Sequence, residues 1–303
     1  MPVQIQVACL LLLFAAGMLA RRRGWLGPPQ AGRLLQLVIY VGLPALLLAD
    51  VSKVPLRADL ALLPLTAASL MALQLGVAWW LGRQLGLPTA SRGAFIICSM
   101  SINAGFLFPF VIAAWGPEAV ARLALFDIGN SLMQGSVLYV VGALHGGHAT
   151  DAGSLARRVL GFPPLWAVLA ALAMNLAGWA WWPEVGAVLG WTGRLILLLV
   201  VLAMGVMFDL KLLRAARVLW PVVIRIGLGA AVGAAVVTAF GLSGATASVL
   251  LLACAAPIGF TVLAVANREN LDREAAASAA SLSVLLGLAY VPLALWWLAP
   301  AGT

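Results

Sequence analysis

The sequence predicts an all-α membrane protein with ten transmembrane helices, arranged as two inverted repeats of five helices each. Three observations support this prediction. The chain of 303 residues is 64% hydrophobic and 9% charged, whereas about 25% of the residues of an ordinary soluble domain are charged. Apolar segments of membrane-spanning length recur along the chain, and its basic residues concentrate in alternate connections between those segments.

Charged residues, prolines and glycines divide the apolar sequence into two halves of five segments. A bilayer-spanning helix needs about 20 apolar residues, which matches the length of these segments. The predicted domains are a first five-helix repeat over 1–144, a cytoplasmic linker over 145–161 and a second, inverted repeat over 162–303. The predicted spans cover 3–20, 33–49, 59–81, 92–114, 118–144, 162–181, 185–208, 215–239, 247–267 and 273–298.

Lysine and arginine residues predict the orientation of these spans. Most of them fall in the first, third, fifth, seventh and ninth connections, and the positive-inside rule places such connections in the cytoplasm. Both termini are therefore expected outside, in a multi-pass protein of the inner cell membrane. Because five is odd, a related second half is inserted upside down relative to the first, which is the inverted repeat of many secondary transporters.

The fourth span of each half carries glycine and proline near the middle of the membrane. The first reads Ser-Ile-Asn-Ala-Gly-Phe-Leu-Phe-Pro over 101–109, and the second reads Cys-Ala-Ala-Pro-Ile-Gly-Phe-Thr over 254–261. Proline interrupts a helix, and the freed backbone groups must be buried in protein or line a cavity. Paired interruptions predict a substrate site, with half-helices beginning near Pro109 and Pro257. Two purely structural kinks are the alternative.

Polar side chains are predicted at the same depth as these interruptions. With a helical rise of about 1.5 Å per residue, Asn103, Asp127, Asn130 and Pro257 all fall near the middle of an apolar layer about 30 Å thick. Their convergence at one depth indicates a single site. The candidate substrate-binding residues are Ser101, Asn103, Gly105, Pro109, Asn130, Arg225, Pro257, Gly259 and Thr261.

Asp127 is the candidate residue for ion or proton coupling. A carboxylate at the bilayer centre costs at least about 3 kcal/mol, so its presence needs a function or a partner. It either exchanges a proton or holds a cation during transport, or it forms a fixed ion pair with Arg225 of the eighth span. Arg225 is itself the candidate counter-ion for an anionic substrate, supported by the positive N-terminal ends of the half-helices.

Four parts of the chain form a recognisable series of motifs. They are Gly-Leu-Pro-Ala-Leu-Leu-Leu over 42–48, Asn-Ala-Gly-Phe over 103–106 with Pro109 and Gly116, Phe-Asp-Ile-Gly-Asn over 126–130, and Ala256-Pro257 followed by 267–278. In this order and spacing they resemble the auxin efflux carrier family of membrane transporters, within the bile acid/sodium symporter-like superfamily. The chain departs from the family pattern at Phe108, where members usually carry a second glycine after Asn-x-Gly.

The resemblance implies a fold and a function. In the implied fold, the fourth and ninth helices cross at their interruptions. The first, second, sixth and seventh helices form a scaffold, and the other helices form a mobile core. An elevator-like movement and a homodimer are further implications. The implied function is secondary active transport of small organic anions, such as mono- or dicarboxylates or auxin-like acids, by alternating access, with the proton as a candidate coupling ion.

Other functional classes find less support in the sequence. The net charge of +8 is explained by the cytoplasmic connections, so no nucleic-acid partner is predicted. Ser243 of a Gly-x-Ser-Gly segment is predicted outside, whereas His145 and His148 are predicted inside, beyond the reach that catalysis requires. No enzyme activity, cofactor or metal site is predicted. A non-transporting receptor or sensor, or a channel, on the same scaffold is an open alternative.

Overall fold

The computed structural model of the chain describes residues 3–53, 58–147, 153, 160–208 and 218–298. The regular elements among these residues are helices, apart from one isolated antiparallel bridge between Ile102 and Ile258. The all-α prediction is therefore confirmed. Most of the predicted linker 145–161, including His148, lies outside the described residues.

The helices of the first half follow the predicted apolar segments closely. Two π-helical turns, Val38–Gly42 and Gln134–Leu138, join consecutive helices into longer continuous rods. The helices are α1 (Val3–Arg22), α2 (Pro28–Leu37), α3 (Leu43–Asp50), α4 (Leu62–Gln84), α5 (Thr89–Met100), α6 (Ala104–Met133) and α7 (Tyr139–Gly146).

The second half is built in the same way, with a π-helical turn at Val223–Leu228. Pro163 and Pro183 each occupy the first position of a helix, where the missing N–H removes no intrahelical hydrogen bond. The helices are α8 (Pro163–Leu176), α9 (Pro183–Met207), α10 (Leu219–Val222), α11 (Gly229–Ala239), α12 (Gly244–Cys254), α13 (Thr261–Arg268) and α14 (Arg273–Trp297).

Six helical stretches of the described chain are long and apolar enough to cross a membrane: Pro28–Lys53, Leu62–Gln84, Ala104–Gly146, Pro183–Met207, Leu219–Ala239 and Arg273–Trp297. The stretch Ala104–Gly146 has 43 residues, about twice what one crossing requires. It is divided at Gly116, whose φ of 75° and ψ of −170° are not helical. A multi-pass membrane protein is thus supported, while ten crossings in two inverted repeats stay a prediction.

The helices pack as two groups. In one group α1, α2, α3, α8 and α9 contact one another, and in the other α4 to α7 pack with α10 to α14. The contacts between the two groups run mainly through α6, which touches α1, α3, α8 and α9. A grouping of this kind gives the molecule two bodies with one shared interface.

Close backbone contact holds the first group together where α1 crosses α9. A Cβ atom added to Gly205 would lie 2.1 Å from the Phe14 carbonyl oxygen, and one added to Gly17 would lie 2.3 Å from that of Leu202. Both distances are far below van der Waals contact, so these positions require glycine. Small residues at such crossings are the usual means by which membrane helices approach closely.

Replacing Gly205 by alanine is expected to lower the free energy of unfolding by about 1–3 kcal/mol, because the added methyl group forces two backbones apart. Gly32→Ala on α2 is the matched control, since nothing lies within 4 Å of its Cβ position. Alanine has the higher helix propensity, so this change should raise the free energy of unfolding by up to about 1 kcal/mol. Thermal denaturation in detergent measures both. Equal midpoints for the two variants would contradict this account of the α1–α9 contact.

Candidate functional site

Two helical segments are interrupted at matching places in the two halves. α5 ends at Met100 and α6 begins at Ala104, while α12 ends at Cys254 and α13 begins at Thr261. The interruptions lie at 101–103 and 255–260, inside the two segments that the Gly and Pro pattern indicated.

The half-helices do not begin where the sequence predicted. Pro109 lies inside α6, and Pro257 lies within the second interruption, ahead of Thr261. The physical reason in the first half is Asn103, whose side-chain oxygen accepts a hydrogen bond from the Phe106 backbone N–H at 3.0 Å. This N-cap starts α6 immediately after Asn103, so the prediction of a start near Pro109 is wrong.

The two interruptions cross and pair with each other. Ile102 and Ile258 form an antiparallel bridge. The Asn103 N–H donates to the Pro257 carbonyl at 2.9 Å, and the Gly259 N–H donates to the Ser101 carbonyl at 3.3 Å. Backbone groups that leave a helix inside a membrane are thereby satisfied within the protein, as the apolar surroundings require.

Amide side chains from α6 and the π-helical turn after it bind the first interruption. The Ile102 carbonyl accepts hydrogen bonds from Asn130 Nδ2 at 3.3 Å and from Gln134 Nε2 at 2.8 Å. Ser101 Oγ donates to Gln134 Oε1 at 3.3 Å. The first interruption is therefore fixed to the helix that follows it in the chain.

The second interruption is held by groups from three other segments. Ser283 of α14 accepts a hydrogen bond from the Ile258 N–H at 3.0 Å, and Asn103 Nδ2 donates to the Ile258 carbonyl at 3.3 Å. The Arg225 guanidinium donates to the Cys254 carbonyl and, at 3.0 Å through Nε, to the Ala256 carbonyl. These side chains replace the hydrogen bonds that the backbone groups of the second interruption would make within a continuous helix.

Arg225 is fully buried, and its guanidinium is directed at the C-terminal end of α12. Its remaining hydrogen bond goes to Gln74 Oε1 at 2.6 Å. Within the described chain, it forms no ion pair with Asp127 or with another carboxylate. The alternative of a fixed Asp127–Arg225 pair is therefore wrong, while the role of Arg225 as a counter-ion for a substrate stays a prediction.

Asp127 belongs to a polar face of α6 that runs to the first interruption. Its carboxylate accepts hydrogen bonds from Asn130 Nδ2 at 2.6 Å and from Ser131 Oγ at 3.4 Å. Asn130 Oδ1 accepts from Gln134 Nε2 at 2.8 Å. Residues 127, 130, 131 and 134 share one helix face by their spacing, and their side chains link Asp127 to the backbone at Ser101 and Ile102.

A pocket opens beside Asp127, between the two groups of helices. Among the described residues that line it, the polar ones are Asp127 and Ser131, and Asp127 is the charged one. No group of three His, Cys, Asp or Glu residues suited to a metal ion occurs within the described part of the chain. The pocket is lined by Leu43, Leu47, Phe108, Ala124, Asp127, Ile128, Ser131, Phe162, Pro164, Leu165 and Val168.

The other predicted site residues lie around the crossing rather than in this pocket. Gly259 is required there, because an added Cβ atom would lie 2.7 Å from Ser101 Oγ. Gly105 and Thr261 are half-buried within the first turn of α6 and of α13. Pro257 packs against Gly287 of α14. Their contact with substrate stays a prediction.

Four residues of the site were not predicted from the sequence. Ser131 and Gln134 had a signal, since they continue the i, i+3, i+4, i+7 polar face that begins at Asp127. Gln74 is an isolated polar residue in the middle of an apolar helix, and Ser283 follows Ser278 and Ser281 in a run of small residues. A lone glutamine in mid-membrane also deserves a functional interpretation, but the sequence does not indicate its partner.

Comparison with known proteins shows similarity to a transporter along nearly the whole chain. The chain is 26% identical over 294 residues to a protein of Methanothermobacter thermautotrophicus (strain Delta H) that is described as an uncharacterized transporter. The alignment covers 95% of each chain, so the similarity extends through both halves and both interruptions. No family model matches the chain.

The crossing itself can be tested by a disulfide between Ile102→Cys and Ile258→Cys. The backbone hydrogen bonds are made by the residues that flank Ile102 and Ile258, so these two face each other as a non-hydrogen-bonded pair. In such a pair the Cα atoms are about 4.5 Å apart, within the range for a disulfide. In a background with alanine at the three native cysteines, a membrane-permeant oxidant is expected to cross-link this pair. Ile96→Cys with Ile258→Cys is the control, since Ile96 lies about 9 Å further along the chain. Cross-linking of the control pair alone would contradict the crossing.

Proposed function

We propose that the protein is a secondary transporter that moves small organic anions across the membrane by alternating access. The observation that carries this proposal is the pair of crossed interruptions, beside which Asp127 lines a small pocket where the two groups of helices meet. The near full-length similarity to a protein described as a transporter supports it. Ligand sites at broken, crossing helices are a recurrent feature of secondary transporters.

The chemistry of the pocket favours coupling of anion movement to a proton. An anionic substrate and an ionised Asp127 repel each other strongly between apolar walls. When Asp127 carries a proton, its hydroxyl group can donate a hydrogen bond to a substrate carboxylate, and a charge-assisted bond of this kind is among the strong ones. Asp127 would then take up a proton when the anion binds and release it when the anion leaves.

The two groups of helices supply a physical basis for alternating access. One wall of the pocket comes from α3 and the start of α8, and the other comes from α6. A displacement of one group along the other would carry Asp127 past the apolar wall and expose it to the opposite side. This elevator-like movement is part of the proposal, and so is a homodimer formed through the group of helices that does not move. The resemblance to the auxin efflux carriers suggests both.

The orientation proposed for the protein has both termini outside the inner membrane. Trp25 follows α1 in a connection proposed as cytoplasmic, and Trp179 lies between α8 and α9 in one proposed as external; their exposed fractions are 67% and 71%. With Cys9 replaced by alanine, a membrane-impermeant maleimide should label Trp179→Cys in intact cells and Trp25→Cys only after permeabilisation. The reverse pattern would invert the topology.

Transport and coupling are tested together by uptake of labelled carboxylates into proteoliposomes with an imposed pH gradient. Malonate, malate and indole-3-acetate form the first panel. Asp127→Asn is expected to abolish gradient-driven uptake, because an amide cannot carry the proton, while the protein stays folded. Asp50→Asn is the matched control and should leave uptake unchanged, since Asp50 is also a carboxylate in a membrane helix but is buried and lies 3.9 Å from Arg194, away from the pocket.

The outcomes separate the alternatives. Uptake that depends neither on the pH gradient nor on the Asp127→Asn change would indicate a uniporter in which Asp127 has a structural role. A failure of all substrates to enter would favour a receptor or sensor, and single-channel currents would favour a channel.

A further inference from the structure

Arg225 is a buried charge without a carboxylate partner within the described chain, and such a charge needs compensation of another kind. A charged side chain in mid-membrane is costly and almost always has a specific task. Here the compensation comes from the Cys254 and Ala256 carbonyls, at the C-terminal end of α12. Unpaired carbonyls and the negative end of the helix dipole meet there, so the end of a broken helix acts as the counter-charge.

Gln74 of α4 fixes the orientation of Arg225 from behind. Its side-chain oxygen accepts from Arg225 Nη1, and its Nε2 donates to the carbonyls of Ile224 and Arg225 at 3.1 and 3.0 Å. Those two carbonyls lie in the π-helical turn Val223–Leu228. Gln74 thus binds both the backbone and the head group of Arg225, and it is itself fully buried.

Glycine residues of α11 allow the helix that carries Arg225 to approach the end of α12 closely. A Cβ atom added to Gly229, one turn after Arg225, would lie 2.0 Å from the Cys254 carbonyl oxygen. At Gly233, one turn further, it would lie 3.0 Å from Cys254 Cβ. The face that carries Arg225 is therefore seated directly on the end of α12.

We propose that Arg225 and Gln74 are positioning residues that hold the end of α12 so that Pro257 and Ile258 meet Asn103. The Ala256 carbonyl that Arg225 binds immediately precedes Pro257, whose own carbonyl accepts the Asn103 N–H. Arg225 touches no substrate in this assignment, because it lies behind the crossing and is completely buried. The effect of the pair on uptake rests on the proposed transport function, whereas its effect on the crossing does not.

Cross-linking of Ile102→Cys with Ile258→Cys measures the crossing without any substrate. In this background, Arg225→Gln should slow disulfide formation about tenfold, corresponding to the loss of roughly 1.4 kcal/mol from the paired arrangement. Arg21→Gln is the matched control and should leave the rate unchanged. Arg21 also binds carbonyls at a helix end, those of Val206, Met207 and Phe208, but that helix is α9, which belongs to the other group. A wild-type rate in Arg225→Gln would overturn the proposal.

Conservative variants separate position from charge. Arg225→Lys keeps the charge but replaces a planar fork of donors by a single ammonium group, so cross-linking should be slowed, though less than with glutamine. Gln74→Leu leaves Arg225 in place and should also slow it. If Arg225→Gln does not give a monodisperse protein in detergent, the Gln74→Leu rate decides, and a rate equal to wild type contradicts the assignment.

Uptake measurements provide an independent readout. Arg225→Gln and Gln74→Leu should raise the half-saturating substrate concentration while the shape of the pH dependence is retained, because Asp127 keeps its own hydrogen bonds. The double variant should cost no more than the larger single change, since the two residues act as one unit. Additive effects would count against a joint role. If the wild type transports none of the carboxylates, the transport proposal fails and the cross-linking rates still decide the positioning role.

Discussion

The need to satisfy backbone hydrogen bonds inside an apolar layer determines how the centre of this protein is built. Where two helices stop in mid-membrane, the N–H and C=O groups that they release have no water to bind. The protein pairs the two gaps with each other through Asn103, Pro257, Ser101 and Gly259. Once that pairing exists, the neighbouring helices must supply the remaining donors and acceptors, and this requirement places most of the polar side chains of the site.

The two interruptions are supported by different chemistry, although they occupy matching places. Neutral amides of Asn130 and Gln134 bind the first, and their network extends to Asp127 at the pocket. Besides the Asn103 amide, the Arg225 guanidinium and the Ser283 hydroxyl bind the second, and both of these residues are fully buried. The network at the first interruption therefore reaches the pocket, whereas the groups at the second interruption are enclosed in the protein.

Asp127 and Arg225 illustrate how one rule leads to two results. Both are charges in mid-membrane, and each demands compensation. Arg225 receives it from carbonyls at the end of α12, and Gln74 fixes its orientation. Among the described residues, Asp127 receives side-chain hydrogen bonds from its own helix, and it lines a pocket between the two groups of helices.

The sequence alone determined where the helices lie, because their length is set by the bilayer and their apolar composition is local. Gly and Pro marked the two interruptions, and the cost of a buried carboxylate singled out Asp127. The sequence did not determine what each polar residue binds: it placed the start of a half-helix near Pro109, although Asn103 caps that helix, and it left open an Asp127–Arg225 pair, although Arg225 binds carbonyls at the end of α12. Those choices depend on carbonyls brought close by folding from far along the chain, as with Asn103 and Ile258, 155 residues apart, and only the tertiary structure decides which free backbone group each side chain meets.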